Sequence, residues 1–93
     1  MNDIEKIDIY KIKVKEALKQ NPYMIIGNLT LDETSHIENI AFSICAAREK
    51  IFSAGGFVSA ILDNDLEAAC ARADETCIKA LKFFVYVKSY VYC

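Results

Sequence analysis

Apolar residues recur at three- and four-residue steps along most of the chain, which is the spacing typical of α-helices. The first such stretch covers residues 3–20, with the apolar positions Ile4, Ile7, Tyr10, Val14 and Leu18. Residues 10–15 also alternate with period two, so a strand remains an alternative there. The good helix formers at 16–20 and the proline that follows at position 22 favour a helix ending near Gln20.

A second helix is predicted in the middle of the chain. Ser35 and Glu38 have the spacing of a capping box, in which each side chain satisfies a backbone N–H at the helix start. The apolar positions that follow at three- and four-residue steps continue to Ile51. We therefore expect a helix from about Ser35 to about Ala54, preceded by a loop over residues 23–31.

The C-terminal part predicts two or three more helices. A polar run at residues 63–65 interrupts the apolar pattern of residues 57–73, and Asn64 is the predicted N-cap of the helix that resumes there. Asp74 or Thr76 is placed to cap a last helix ending near Tyr90. The sequence thus predicts an all-α bundle of four to five helices, with residues 1–93 forming a single helical domain.

Composition adds expectations about partners. Hydrophobic residues make up 54% of the 93 residues, more apolar surface than a chain this short buries easily, so a homo-oligomer is expected. The formal net charge of −2 gives no general attraction to duplex nucleic acid. The longest apolar run, residues 83–87, is far shorter than the roughly 20 residues that span a bilayer, so no membrane partner is expected.

The residue types that carry catalysis and metal binding are sparse. The four cysteines, at positions 45, 70, 77 and 93, form no C-x-x-C pair, and His36 is the only histidine. This spacing predicts reduced thiols and no metal site. No nucleophile–base pair and no phosphate-binding loop with lysine is recognisable, so the expectation is a cytoplasmic protein that is not an enzyme and uses no cofactor.

Two features are candidates for binding an anion. Arg48 and Arg72 are the only arginines, and both lie in alanine-rich segments. Arginine suits bidentate contact with phosphate, although a salt bridge of Arg72 with Asp65 or Asp74 is an equal alternative. Gly55 and Gly56 precede a predicted helix, where backbone N–H groups are able to approach an anion, although a simple turn explains them as well.

Asn64, Asp65 and Tyr10 complete the candidate binding set. Asn64 and Asp65 would accept hydrogen bonds from a base or a ribose, and helix capping is the alternative role for them. Tyr10, or a tyrosine of the C-terminal segment, would stack on a base, and a place in the core is the alternative.

The stretch from Gly55 to Asp74 resembles a family of small accessory proteins of tailed bacteriophages. The shared features are Gly56-Phe57, Asn64-Asp65-Leu66 and Arg72-Ala73-Asp74. The family more usually has Asn where this chain has Cys77. Residues 32–52 are in addition similar to one arm of the helical-hairpin sponges with which phages sequester cyclic nucleotide immune signals.

These resemblances imply a phage anti-defence protein in the host cytoplasm. The expected activity is to bind a small phosphate-bearing nucleotide signal, such as a cyclic oligonucleotide, without turning it over. The alternative is a protein–protein inhibitor that docks an apolar helical surface on a host or defence enzyme.

Overall fold

The computed structural model describes residues 2–92, and every regular element in that range is helical. The α-helices are α1 (Asp3–Gln20), α2 (Leu31–Arg48), α3 (Gly56–Leu62), α4 (Leu66–Arg72), α5 (Glu75–Lys79) and α6 (Leu81–Tyr90). A short 3₁₀ turn, Pro22–Met24, follows α1. The all-α prediction is confirmed for residues 2–92, with six helices in place of four or five.

Helix α1 has the predicted bounds, and no strand forms over residues 10–15. At its start the side chain of Asn2 accepts a hydrogen bond of 2.9 Å from the backbone N–H of Glu5. At its end Asn21 donates from its side chain to the carbonyl of Ala17 at 2.7 Å. Pro22 then prevents the helix from continuing, as the sequence predicts.

Helix α2 begins four residues before the predicted capping box, at a different box. Thr30 is the N-cap, and its hydroxyl accepts from the N–H of Glu33 while the Glu33 carboxylate accepts from the N–H of Thr30, both at 3.1 Å. The predicted box at Ser35 and Glu38 is therefore wrong, because both residues lie inside the helix. The two pairs have the same spacing in the sequence. Leu31, the first residue of α2, is exposed and so does not belong to the buried apolar face of the helix.

The same left-handed cap ends both α2 and α3. Lys50 has φ 60° and Asn64 has φ 58°. In each case the next N–H bonds back to a carbonyl five residues earlier, at 2.8 Å for Ile51 to Ala46 and 2.9 Å for Asp65 to Ala60. Such a cap satisfies carbonyls at the end of a helix and stops it. Helix α2 accordingly ends at Arg48 rather than near Ala54.

The start of α4 and the last predicted helix also differ from expectation. Asp65, not Asn64, caps α4, since its carboxylate accepts from the N–H of Ala68 at 3.0 Å. Asp74 caps the following helix as predicted, accepting from the N–H of Cys77 at 2.8 Å. That helix, α5, is only five residues long, and the backbone departs from helical geometry at Ala80 before α6 begins.

Helix α2 lies at the centre of the fold and packs against α1, α3, α5 and α6. The core between them is a single cluster of buried apolar residues. Its largest fully buried side chains are Tyr10, Val14, Ile37, Ile44, Cys45, Phe83, Phe84 and Val87. The described cysteines form no disulfide with one another, and none of the helices in residues 2–92 has the length and apolarity needed to cross a bilayer.

The two candidate caps of α2 make a direct test. Thr30→Ala removes the hydroxyl that accepts from Glu33 N–H, and we expect the free energy of unfolding to fall by about 1 kcal/mol. Ser35→Ala, which changes a hydroxyl inside the same helix, is the matched control and should have little effect. Urea denaturation followed by circular dichroism measures both; equal losses from the two variants would contradict the assignment of the cap.

Candidate functional site

A depression of about 350 Å³ lies between the start of α3 and the end of α4. Its lining residues are Ala54, Gly55, Gly56, Ser59, Ala60, Asp63, Asp65, Ala68 and Arg72. We call it the Arg72 depression. Four of the seven residues predicted from the sequence to bind a ligand meet here, namely Arg72, Gly55, Gly56 and Asp65, although they are separated by up to 17 positions in the chain.

The guanidinium of Arg72 lies against the backbone of Gly56. A Cβ atom built on Gly56 would lie 3.1 Å from Cδ and 3.2 Å from Cζ of Arg72, and would overlap its Nη1 atom. A glycine is therefore required for the arginine to occupy this position. By contrast, a Cβ on Gly55 would meet no atom within 4 Å. The arginine side chain thus packs directly on the turn that starts α3.

Arg72 is exposed and has neither a hydrogen bond nor an ion pair to any residue in the range 2–92. The alternative salt bridge with Asp65 or Asp74 does not form: Asp74 pairs with His36, and one oxygen of Asp65 accepts from the backbone of α4. A guanidinium carries five N–H donors and always a positive charge. Those of Arg72 remain available to an external acceptor.

The backbone at the start of α3 also has donors without side-chain partners. Gly55 is the N-cap residue and supplies no capping side chain. The first amides of a helix have no acceptor within the helix itself. They lie beside Arg72, and the carboxylates of Asp63 and Asp65 line the same depression. The Arg72 depression therefore offers donors and acceptors side by side.

Asn64 is placed differently. Its side-chain oxygen accepts a hydrogen bond from the ammonium of Lys88 on α6, and it borders a neighbouring apolar groove rather than the Arg72 depression. Its positive φ belongs to the cap that ends α3. The structure thus gives Asn64 a role in connecting α3 to α6, and of the two neighbouring residues only Asp65 lines the Arg72 depression.

Arg48 also lies away from the depression, at the C-terminal end of α6. Its Nη1 donates to the carbonyls of Val87 and Lys88 at 3.2 and 2.8 Å, and its Nη2 donates to the carbonyl of Val91 at 2.5 Å. The last carbonyls of a helix have no intrahelical partner and carry partial negative charge, which a cation stabilises. The guanidinium also lies 4.0 Å from the ring centroid of Tyr92. Both Nη atoms of Arg48 are therefore bonded to acceptors within the protein.

Tyr10 is fully buried, so its ring is not accessible for stacking on a base in this fold. Its hydroxyl donates to the carboxylate of Glu49 at 2.5 Å and accepts from Nη2 of Arg48 at 3.1 Å. The hydrogen bond from Tyr10, assisted by the charges of Lys6 and Arg48, lowers the pKa of Glu49 below its usual value. Tyr10, Arg48 and Glu49 form a polar network at the junction of α1, α2 and α6.

A second cluster of chemically active groups was not predicted. Nε2 of His36 lies 2.9 Å from a carboxylate oxygen of Asp74 and 3.9 Å from Sγ of Cys77. Burial, with a smaller contribution from the neighbouring Asp74, raises the pKa of the Cys77 thiol to about 12. The backbone N–H of Cys77 is the main cause of a lowered pKa at Asp74. No local spacing reveals this cluster, because His36 and Cys77 are 41 positions apart.

Comparisons with protein-family models, with curated proteins and with solved structures gave no significant match.

The different surroundings of the two arginines predict different effects on stability. Arg48→Met leaves helix-end carbonyls and the Tyr10 hydroxyl without their donor, and we expect the free energy of unfolding to fall by at least about 2 kcal/mol. Arg72→Met removes an exposed side chain that has no polar partner among the described residues, and the variant should stay within about 0.5 kcal/mol of the parent protein. Urea denaturation compares them, and similar effects at both positions would refute the assigned roles.

Proposed function

We propose that this protein binds and sequesters a small phosphate-bearing nucleotide signal, such as a cyclic oligonucleotide, without turning it over. It would act as a phage-encoded anti-defence protein in the host cytoplasm, assembled as a homo-oligomer. The observation that carries the proposal is the exposed guanidinium of Arg72, which lies against Gly56 at the edge of a depression and has no acceptor among residues 2–92.

A phosphate is the acceptor that best fits Arg72. Its planar fork of N–H donors matches two oxygens of a phosphate, and charge-assisted hydrogen bonds of this kind are about twice as strong as neutral ones. Contact with Gly56 restricts the side chain before any ligand arrives, so less conformational entropy is lost on binding. The backbone N–H groups at Gly55 and Gly56 would supply further donors to the same phosphate.

The carboxylates in the depression favour a nucleotide over inorganic phosphate. Asp63 and Asp65 would repel a small, fully charged anion placed among them. A nucleotide separates its charge from its hydrogen-bond donors, so that a phosphate contacts Arg72 while a base amine or a ribose hydroxyl donates to a carboxylate. Only one oxygen of Asp65 is occupied, by the backbone of α4, which leaves the other available.

The Arg72 depression is small compared with a cyclic oligonucleotide, so binding such a ligand would require an oligomer. Ligand pockets commonly have volumes of about 300–1,000 Å³, and the Arg72 depression, at about 350 Å³, suits one nucleotide unit. A cyclic ligand with two or three units would therefore be held by depressions of more than one copy. Symmetric homo-oligomers place identical surfaces around a common axis in this way.

Binding without turnover is consistent with the residues that line the depression. They include one hydroxyl, that of Ser59, and neither histidine nor cysteine. Transfer or hydrolysis of a phosphodiester generally uses an activated nucleophile, a general base or a metal ion. The carboxylates and the arginine suffice for recognition.

A protein–protein inhibitor is the second candidate, supported by an apolar groove between α4 and α6. The groove has a volume of about 260 Å³, and its apolar lining residues are Ala60, Ile61, Leu66, Ala69, Leu81 and Val85. Leu66 is 71% exposed and Val85 is 52% exposed. A partner that inserted an apolar side chain between them would bury this surface, which is the usual centre of a protein interface.

Calorimetric titration with cyclic di- and trinucleotides tests the first function. The parent protein should bind one of them, and Arg72→Ala should weaken that binding roughly 100-fold, the cost of one charge-assisted pair. Gly56→Ala should weaken it as well, since the added methyl group displaces Arg72 while the helix is retained. Lys82→Ala removes an exposed positive charge outside the depression and should change affinity by less than about twofold, because surface charges at a distance are screened.

Circular dichroism and thermal melting test whether the variants fold. In these two measurements Gly55→Ala is the control for an alanine introduced into the turn before α3. The proposal fails if none of the cyclic nucleotides binds the parent protein. It also fails if the folded Arg72→Ala variant binds as tightly as Lys82→Ala.

If the protein is instead a protein–protein inhibitor, binding requires the apolar groove and does not require the Arg72 depression. Leu66→Asp places a charge at the rim of the apolar groove and should abolish co-purification with a host or defence enzyme, whereas Arg72→Ala should leave it intact. Loss of the complex in Arg72→Ala alone would count against the apolar groove as the contact surface.

A further inference from the structure

We propose that His36, Asp74 and Cys77 form a binding site for a divalent transition-metal ion, with zinc as the ion of best fit. His36 lies on α2, Asp74 is the N-cap of α5 and Cys77 lies within α5. One ligand atom from each residue lies within 4.8 Å of the other two. This cluster is separate from the Arg72 depression, so the proposal does not depend on nucleotide binding.

Two of the three separations between the donor atoms are close to those that a zinc ion requires. Zinc binds imidazole nitrogen and carboxylate oxygen at about 2.0–2.2 Å and thiolate sulfur at about 2.3 Å, which in tetrahedral geometry separates the donors by about 3.3–3.7 Å. Here the His36 nitrogen is 2.9 Å from the Asp74 oxygen and 3.9 Å from the Cys77 sulfur. The third separation, between the Asp74 oxygen and the Cys77 sulfur, is no more than 4.8 Å, so side-chain movements of up to about one ångström would accommodate the ion.

The chemistry of the donors selects the class of ion. A thiolate with an imidazole suits zinc and its cobalt analogue, whereas calcium and magnesium prefer sites made of oxygen ligands alone. The ion takes the place of the proton on the Cys77 thiol, which is released to solvent, and no electron is transferred. Three protein ligands leave a fourth position, which a water molecule would occupy.

Asp74 is able to act as a ligand without losing its structural role. Its Oδ1 atom accepts from the backbone N–H of Cys77 and caps α5, while the other oxygen, Oδ2, faces His36. The capping hydrogen bond thus holds the carboxylate and the cysteine in fixed relative positions. Such support orients the ligands before the metal binds.

Access to the cluster is open on one side. The side chains of His36 and Asp74 are 42% and 56% exposed, whereas Cys77 is buried. An ion is therefore able to enter from solvent and to reach the sulfur without unfolding of the core. Once bound, it would join α2 to α5 and stabilise their contact, because an ion that binds only the folded state favours that state.

Titration of the reduced, metal-free protein with Co²⁺ tests the site. We expect one Co²⁺ per chain, with a thiolate-to-metal charge-transfer band and the strong visible bands of a tetrahedral ion, both removed by excess Zn²⁺. His36→Gln and Asp74→Asn should each weaken binding by more than about 10-fold, the loss that even an outer-shell partner causes. Asparagine retains the cap of α5, so the Asp74 variant is expected to fold.

Cys77→Ser should remove the charge-transfer band, while the matched variant Cys70→Ser/Cys93→Ser, which retains Cys45 and Cys77, should keep it. Zn²⁺ should raise the melting temperature of the parent protein and of that control, but not of His36→Gln. The proposal is overturned if the parent protein shows no charge-transfer band, or if the band persists in folded His36→Gln and Asp74→Asn at unchanged affinity.

Discussion

The fold depends on the position of one cation, the guanidinium of Arg48 at the C-terminal end of α6. This group donates to three carbonyls where the last helix ends and to the hydroxyl of Tyr10 on α1. The arginine is itself the last residue of α2. One side chain thereby joins α1, α2 and α6, and the aromatic ring of Tyr92 covers it. The two Nη atoms find acceptors on α1 and at the end of α6, whereas the buried Nε has none among residues 2–92. Hydrogen bonds of this kind favour a single arrangement of the helices that they join.

The two arginines differ in whether their hydrogen-bond donors are occupied within the protein. Both arginines end a helix and have small residues nearby, yet only Arg48 meets the carbonyls of another helix. Arg72 ends a helix of seven residues, faces a glycine turn, and has no acceptor among residues 2–92. An exposed arginine whose donors have no acceptor among the described residues is able to bind an external anion. The proposed nucleotide binding depends on this difference between the two arginines. The metal site proposed at His36 does not depend on it.

Local signals in the sequence predicted the bounds of α1 and the cap at Asp74, because a proline and a capping side chain act within a few residues. They predicted the cap of α2 at Ser35, whereas the cap is Thr30, whose pairing with Glu33 has the same spacing. Part of the site was also predictable, since Gly56 and Arg72 stand out as residue types. Periodicity does not encode contacts between residues that are 38 to 41 positions apart. Such contacts bury Tyr10, bind Arg48 to the end of α6 and bring His36 close to Cys77.

Native mass spectrometry of the protein purified from bacteria with an active cyclic nucleotide defence tests the central claim most directly. We expect an oligomer that carries a nucleotide at a fixed ratio to its chains, and denaturation should release that nucleotide unaltered for identification. The Arg72→Ala protein from the same cells should form the same oligomer without it. An oligomer free of nucleotide that also ignores added cyclic nucleotides, or one bound stoichiometrically to a host protein instead, would contradict the claim.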